Sequence, residues 1–423
     1  MTSADGRAGN HIWELARASG ISRRRYLKLL AVGGAAAVLA ACSGQRLPRS
    51  GDGTATSLDA AAAAASDATP EAPHFFKDPA PFIERGASGL EARLENMQGV
   101  ATPNKFFFVR NNSTSLALDS DLWRLSIEGD AVAEPVALSL ADIRGMPSTT
   151  VTAYLECAGN HRAMFGLVNG REASGTQWER GAVGNGQWTG VGLGSVLGRA
   201  GMDASRARSV LLIGLDAESP EGGFRRAMPV EKAMDPHTLL AYSLNGELLP
   251  YDHGFPLRAV VPGWVGSSWI KWVGRIVVSS EPAWTRNNTT SYVLIGDDYP
   301  PEGRADGKPL TEQSIKSALA LPWPARLGAG PHLIHGFAQS PEPVAKVEWS
   351  TDSGATWTEA VLHGPSERYS WARFEFVWSP SPGDHTVMTR ATDAAGNSQP
   401  DEVPFNEKGY LFNQPLPHPI SVT

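Results

Sequence analysis

Val151-Thr152-Ala153-Tyr154-Leu155-Glu156-Cys157-Ala158-Gly159-Asn160-His161-Arg162 begins as an apolar strand and ends in a turn. The strand signal runs from Val151 to Leu155, and the Gly-Asn pair breaks it just past the cysteine. A lone cysteine is ordinarily a small buried hydrophobe. This one sits at the end of a strand, with His161 and Arg162 close behind it. Positive charge near a thiol favours the thiolate, the form that binds soft transition metals. One thiolate cannot hold a naked ion. The chain offers no Cys-x-x-Cys, His-Glu-x-x-His or histidine cluster to complete a coordination shell. If Cys157 binds a metal, most of the other ligands must come from an organic cofactor.

Outward from this turn the chain alternates short strands, turns and a few helices. Val210-Leu211-Leu212-Ile213-Gly214-Leu215 has the length of a buried strand. Leu257 to Gly263 reads as a strand with a turn behind it, and Trp272 to Val278 as another. Leu138 to Ile143 and Gly194 to Ala200 read as short helices. The pattern predicts an α+β domain over residues 76–322. Gly184-Asn185-Gly186 and Gly190-Val191-Gly192-Leu193-Gly194 do not follow a strand as Gly-x-Gly-x-x-Gly, so both read as turns rather than a dinucleotide site. Pro322-Trp323-Pro324 and Gly328-Ala329-Gly330-Pro331 mark a linker. Beyond it, Val344 to Ser350, Trp357 to Val361, Ser370 to Phe376 and His385 to Ala391 are short runs separated by turn signals. Residues 323–423 are therefore predicted to form an immunoglobulin-like β-sandwich.

Residues 1–42 read as an address. Ser22-Arg23-Arg24-Arg25-Tyr26-Leu27-Lys28 has the form of a twin-arginine export signal, and the Leu29 to Ala41 run is too short for an ordinary membrane span. Leu39-Ala40-Ala41-Cys42 has the form of a lipobox, whose cysteine is lipidated after cleavage. An ordinary cleavage site beside a cysteine is the alternative. Residues 43–75 are mostly Ala, Ser, Asp, Gly and Pro, the composition of a flexible tether. These features predict an exported protein in the periplasm or on the outer face of the cell membrane, with Cys42 as the candidate lipid anchor.

The address is basic while the whole chain carries a net charge of −7, so the body is acidic. An acidic body is a poor partner for nucleic acid, whose phosphates must be neutralised. Any basic cluster within it reads as a local anion site. The 13 Trp, 31 Pro and 44 Gly favour a turn-rich, strand-heavy architecture over a helical bundle. The two cysteines, Cys42 and Cys157, have separate explanations and suggest no disulfide framework.

Glu156-Cys157-Ala158-Gly159-Asn160 resembles the molybdenum-ligand motif of the sulfite oxidase family. Phe107-Phe108-Val109-Arg110-Asn111 is similar to that family's arginine-bearing motif. Gly214-Leu215-Asp216, Leu239 to Gly246, Asp252 to Gly263 and Trp269-Ile270-Lys271-Trp272 follow in family order, and Val347 to Trp357 resembles its C-terminal dimerisation domain. The resemblance covers roughly residues 95–420. It implies molybdenum held by molybdopterin, with Cys157 as the metal's only protein ligand. It also implies cofactor contacts from Phe108, Val109, Arg110, Asn111, Asn112, Asp216, His253, Arg258, Trp269, Ile270 and Lys271. The cations among them suit the cofactor's phosphate.

Arg110 is the candidate grip on an anionic substrate, because a guanidinium donates two parallel hydrogen bonds to an oxyanion. Tyr292 is similar to the family's active-site tyrosine, with a longer spacing from Trp284 than in animal enzymes. With Cys157 these form the candidate catalytic set. The sequence departs from the family pattern at Asn112 (usually His), at His161 and Ser268 (usually Arg) and at Lys408 (usually Arg). Arg225-Arg226 reads as a solvated surface pair, the alternative being that it restores positive charge to the pocket. The resemblance implies oxygen-atom transfer to a sulfur substrate, as in a sulfite dehydrogenase. Without a Cys-x-x-Cys-His motif in the chain, electrons are expected to leave to an external c-type cytochrome. A homodimer through the C-terminal domain is also expected. The alternatives are a sulfane dehydrogenase-like subunit acting on protein-bound sulfur, and a metal-free lipid-anchored binding module.

Overall fold

The computed structural model describes residues 74–364 and 366–423. The twin-arginine signal, the lipobox and nearly all of the tether lie outside the described residues. The tether's expected last two residues are already docked. The His74 carbonyl accepts from Ser115 N at 3.1 Å, and Phe75 packs against the main core.

The α+β architecture is present and weighted towards strands. Among the described residues, no α-helix is longer than Leu193–Arg199. The helix expected from Leu138 begins two residues later. Strand Val136–Leu138 stops at Ser139, which caps helix Leu140–Arg144 in a reciprocal capping box with Asp142.

One five-stranded sheet is built on Val183–Gly192, which pairs antiparallel with Thr149–Glu156 on one side and Leu239–Leu244 on the other. Glu247–Leu248 and Arg258–Val260 both pair with Leu239–Leu244. The glycine-rich runs expected as turns lie mostly within strand Val183–Gly192. A Cβ at Gly184 would sit 2.8 Å from Phe107 Cε1, and one at Gly190 2.2 Å from the Leu240 carbonyl oxygen. Glycine marks close approach here rather than a turn.

A second sheet runs in the order Val136–Leu138, Leu125–Glu128, Val273–Ser279, Ser209–Gly214 and Arg225–Pro229. Only its Leu125–Glu128/Val273–Ser279 pairing is parallel. A three-stranded sheet of Phe82–Glu84, Gly89–Ala92 and Val109–Arg110 carries Arg110.

The C-terminal region is a sandwich of a four-stranded and a five-stranded sheet. On Ala372–Trp378 the alternate residues Ala372, Phe374, Phe376 and Trp378 turn inward to meet Val347, Val387 and Ile420. The sandwich starts earlier than residue 323. Lys316–Leu319 already pairs with His332–Gln339 in one sheet, while Ala325–Leu327 pairs with His418–Val422 in the other. The Pro322-Trp323-Pro324 stretch is therefore a crossing between sandwich sheets, not a linker between domains. Ala318, Phe337, Tyr369 and Trp371 join the core of the first domain, so the two domains share an apolar seam.

Candidate functional site

Strand Thr149–Glu156 delivers the chain to the cysteine turn. Cys157 N donates to the Ala182 carbonyl at 2.9 Å, and Asn160 N donates to the Cys157 carbonyl at 2.9 Å, closing the turn. Asn160 Oδ1 accepts from Ala182 N at 3.1 Å. Cys157 is a free, half-buried thiol lining a cavity. Every residue named from the sequence as catalytic or cofactor-binding lines this same cavity. They arrive from Phe108 to Asn112, Cys157, Asp216, His253, Arg258, Trp269 to Lys271, and Tyr292. Among the described residues, no three His, Cys, Asp or Glu side chains could together hold a metal ion.

Of the cavity's cations, Arg258 is buried and Lys271 is partly buried. Arg258 lies against the rings of Trp188 and Trp269, at 4.9 and 5.9 Å. It donates to the carbonyls of His253 and Trp269 at 3.1 and 3.0 Å. Lys271 Nζ donates to the Asp252 carbonyl at 2.9 Å and to Asn111 Oδ1. Neither cation has an ion-pair partner among the described residues. Burial pushes Arg258 down to about 9. Burial, with the neighbouring Arg258 charge, holds Lys271 well below its ordinary value. His253 is kept neutral by burial and by Lys77, Arg258 and Lys271, and its Nε2 has no hydrogen-bond partner. The nearby carboxylates are engaged elsewhere. Asp252 accepts from the backbone N of Phe76 and Lys77, and Asp216 accepts from Phe224 N and Ser219 Oγ.

A second cavity shares Arg110, Asn112, Cys157, Phe224 and Tyr292 with the first. This vestibule adds Arg162, Arg286, Lys408, Trp178 and Tyr410. Arg110 donates to Ser88 Oγ and Asn112 Oδ1, each at 3.2 Å. Arg162 donates to the carbonyls of Lys408 and Thr176, each at 2.7 Å. Tyr292 stacks on Tyr410 with ring centroids 5.6 Å apart and meets Phe224 edge-on at 6.0 Å. Tyr410 Oη donates to the Ser291 carbonyl at 3.0 Å, and burial holds its phenol well above the ordinary range.

Residues 112–286 match the family model described as oxidoreductase molybdopterin binding domain, and residues 309–417 match the Mo-co oxidoreductase dimerisation domain. Sulfite oxidase of Arabidopsis thaliana is 31% identical over 343 residues, covering 73% of this chain and 85% of that protein. The chain belongs to the sulfite oxidase family. Mitochondrial sulfite oxidase of Rattus norvegicus is 35% identical over 335 residues, covering 74% of this chain but 60% of that protein. The chain thus spans about 60% of the length of its mammalian mitochondrial relatives. Among solved structures, the sulfane dehydrogenase SoxCD from Paracoccus pantotrophus matches with a TM-score of 0.70 and 29% identity, covering 81% of this chain and 88% of that one.

As a member of the sulfite oxidase family, the chain takes molybdenum carried by molybdopterin, and its inner cavity fits that group. Two cations with no direct ion-pair contact and an unpartnered imidazole nitrogen are the donor set an anionic phosphate requires. Arg258, Lys271 and His253 would hold the phosphate end, and Cys157 would supply a soft thiolate to the metal.

Two sequence expectations change. Arg226 is not a surface residue: it is buried, donates to Ser267 Oγ at 2.5 Å and to the Leu310 carbonyl, and lies 5.6 Å from the Tyr292 ring centroid. Burial pushes it down to about 10. His161 adds no positive charge behind the thiol, because burial and the charges of Lys316 and Arg180 keep it neutral. Arg286, Phe224 and Tyr410 were not identified from sequence. Phe224 and Tyr410 come from irregular segments and Arg286 opens the one-turn helix Arg286–Thr289, so all three join the site only through folding.

Proposed function

We propose that this chain is an exported molybdenum-dependent enzyme, similar to sulfite dehydrogenase, that oxidises a small sulfur oxyanion. The observation supporting this reading is the vestibule at Cys157, where Arg110, Arg162, Arg286 and Lys408 converge around Tyr292. Guanidinium and ammonium groups there bind and orient an oxyanion. The aromatic walls of Trp178, Phe224 and Tyr410 limit the water around it. When bound, the molybdenum cofactor supplies oxygen-atom transfer and accepts two electrons. For sulfite the balance is sulfite plus water giving sulfate, two protons and two electrons.

The electrons then pass to an external partner, a c-type cytochrome in this reading. The sandwich domain is the homodimer contact, and the twin-arginine segment takes the folded, cofactor-loaded protein to the periplasm, with Cys42 as lipid anchor. A second reading, oxidation of sulfur carried on a larger molecule or protein, is favoured by a vestibule whose rim residue Arg286 is exposed to solvent and by the SoxCD likeness.

The test is a turnover screen of sulfite, thiosulfate and protein-bound sulfur with an artificial acceptor, using molybdenum-loaded enzyme. Sulfite-dependent acceptor reduction with matching sulfate release supports the first reading. Turnover confined to the carrier-bound substrate moves the assignment to the second. Loaded enzyme that turns over none of them rejects both.

A further inference from the structure

We infer that Lys316, supplied by the first strand of the sandwich domain, is a positioning residue for the metal-ligand turn. Lys316 Nζ lies 2.7 Å from Glu156 Oε1, and both side chains are 0% exposed. The same ammonium donates to the Asn160 carbonyl at 3.3 Å. Asn160 Nδ2 donates to Glu156 Oε1 at 2.9 Å, and Gln313 Nε2 donates to the Glu156 carbonyl at 2.8 Å. The residue just before Cys157 and the one that closes its turn are therefore tied to a single lysine. Lys316 begins strand Lys316–Leu319, whose partner His332–Gln339 belongs to the sandwich. The second domain reaches across the apolar seam and grips the turn from behind.

Stability alone does not require this pair. Replacing a buried ion pair with apolar groups of similar shape is often neutral or stabilising. What apolar groups cannot supply is direction, which a satisfied buried hydrogen-bond network does supply. A metal held by one protein thiolate depends on a single turn for its placement, and partners behind a ligand fix its orientation. There is little slack in the packing. A Cβ at Gly266 would lie 2.7 Å from the Glu156 carbonyl oxygen.

The inference rests on Cys157 being the metal's ligand, and the experiment separates the two ideas. In the full chain carrying Cys42→Ser, Cys157 is the sole thiol. Its alkylation by iodoacetamide is timed in cofactor-free protein, and molybdenum per chain is measured in protein from a molybdenum-replete host. Lys316→Met is expected to speed alkylation and to lower bound molybdenum, since affinity for a metal falls about tenfold or more when a partner behind its ligand is lost.

Because that variant strands a buried carboxylate, Glu156→Gln/Lys316→Met is made alongside it. The double variant is expected to regain the parent's melting temperature yet keep the fast alkylation. A merely structural pair would return both together, and that result overturns the inference. Alkylation no faster than in the parent in either folded variant also overturns it. Should the parent chain bind no molybdenum, the cofactor reading fails, while the alkylation rates still decide the role of Lys316.

Discussion

The inner cavity and the vestibule meet at Cys157 and are both lined with cations, yet they hold those cations in opposite ways. Inside, Arg258 is buried and Lys271 partly so, and both are fixed to backbone carbonyls and depressed in pKa. Of the vestibule's cations only Arg162 is buried, on the carbonyls of Lys408 and Thr176. Arg286 is exposed, and Arg110 and Lys408 are only half-buried and held by two contacts each. A buried, unpaired cation costs several kcal/mol until an anion arrives, so the inner site is preset for a ligand that stays. A hydrated cation costs little to leave empty and gives modest attraction. That suits a ligand that enters and leaves with every turnover.

The largest test of this contrast removes the point where the two regions meet. Cys157→Ser should lose bound molybdenum and all turnover, because a hydroxyl is a harder and weaker ligand than a thiolate. Metal analysis beside activity checks it, and full turnover in the Ser variant would refute the ligand assignment.

Lys271→Met probes the inner side, where cofactor affinity should fall about ten- to a hundredfold for one lost charge-assisted contact of roughly 1.5–3 kcal/mol. The cofactor-free protein gives a second signature. Folded Lys271 binds its proton more weakly than the unfolded chain does, so stability should rise as pH climbs from its depressed pKa towards 10.5. Melting temperature against pH should show that rise in the parent and a smaller one in Lys271→Met. Identical slopes would mean that the lysine is not desolvated before the cofactor binds.

In the vestibule, Arg110→Gln should lower kcat/KM for sulfite by about tenfold or somewhat more. The loss should shrink as salt rises, since ions also screen the wild-type attraction. An unchanged rate and salt dependence would shift the substrate towards neutral or carrier-bound sulfur.

The smallest expected change is at Lys408, whose pKa burial lowers. Its charge is lost as pH rises, so anion capture should weaken on the alkaline side earlier than an ordinary lysine would allow. Lys408→Arg keeps the charge. It should carry the alkaline limb to higher pH while altering neutral-pH turnover by about twofold or less, as for a part-exposed charge. A limb that does not move would place the titrating group elsewhere.

These two regions were not equally legible in the sequence. The inner cavity was named almost completely, because its residues sit in short contiguous motifs such as Phe107 to Asn112, Asp252 to Arg258 and Trp269 to Lys271. Each motif carries its neighbours with it, so reading one residue gives the rest. The vestibule was read only in part. Arg226 looked like half of a solvated pair, and only the packing of Tyr292, Ser267 and Leu310 around it makes it a buried cation. The glycines of strand Val183–Gly192 looked like turns for the same reason. What calls for glycine there is the closeness of Phe107 and Leu240, which no local pattern reports.

By itself, then, the sequence determined the strand that ends in Cys157, the anion-binding segments and the alternating strands of the sandwich. The strands follow from backbone preference and short-range periodicity, physics that acts between neighbours along the chain. The anion-binding segments were legible only through their resemblance to the family's motifs. Only the tertiary structure decided which charges lose their water and which partners they find. Lys316 is an unremarkable lysine in its own segment, and 160 positions separate it from the carboxylate it meets. Burial and pairing are set by the whole fold, because desolvation depends on everything that packs around a group and not on what precedes or follows it.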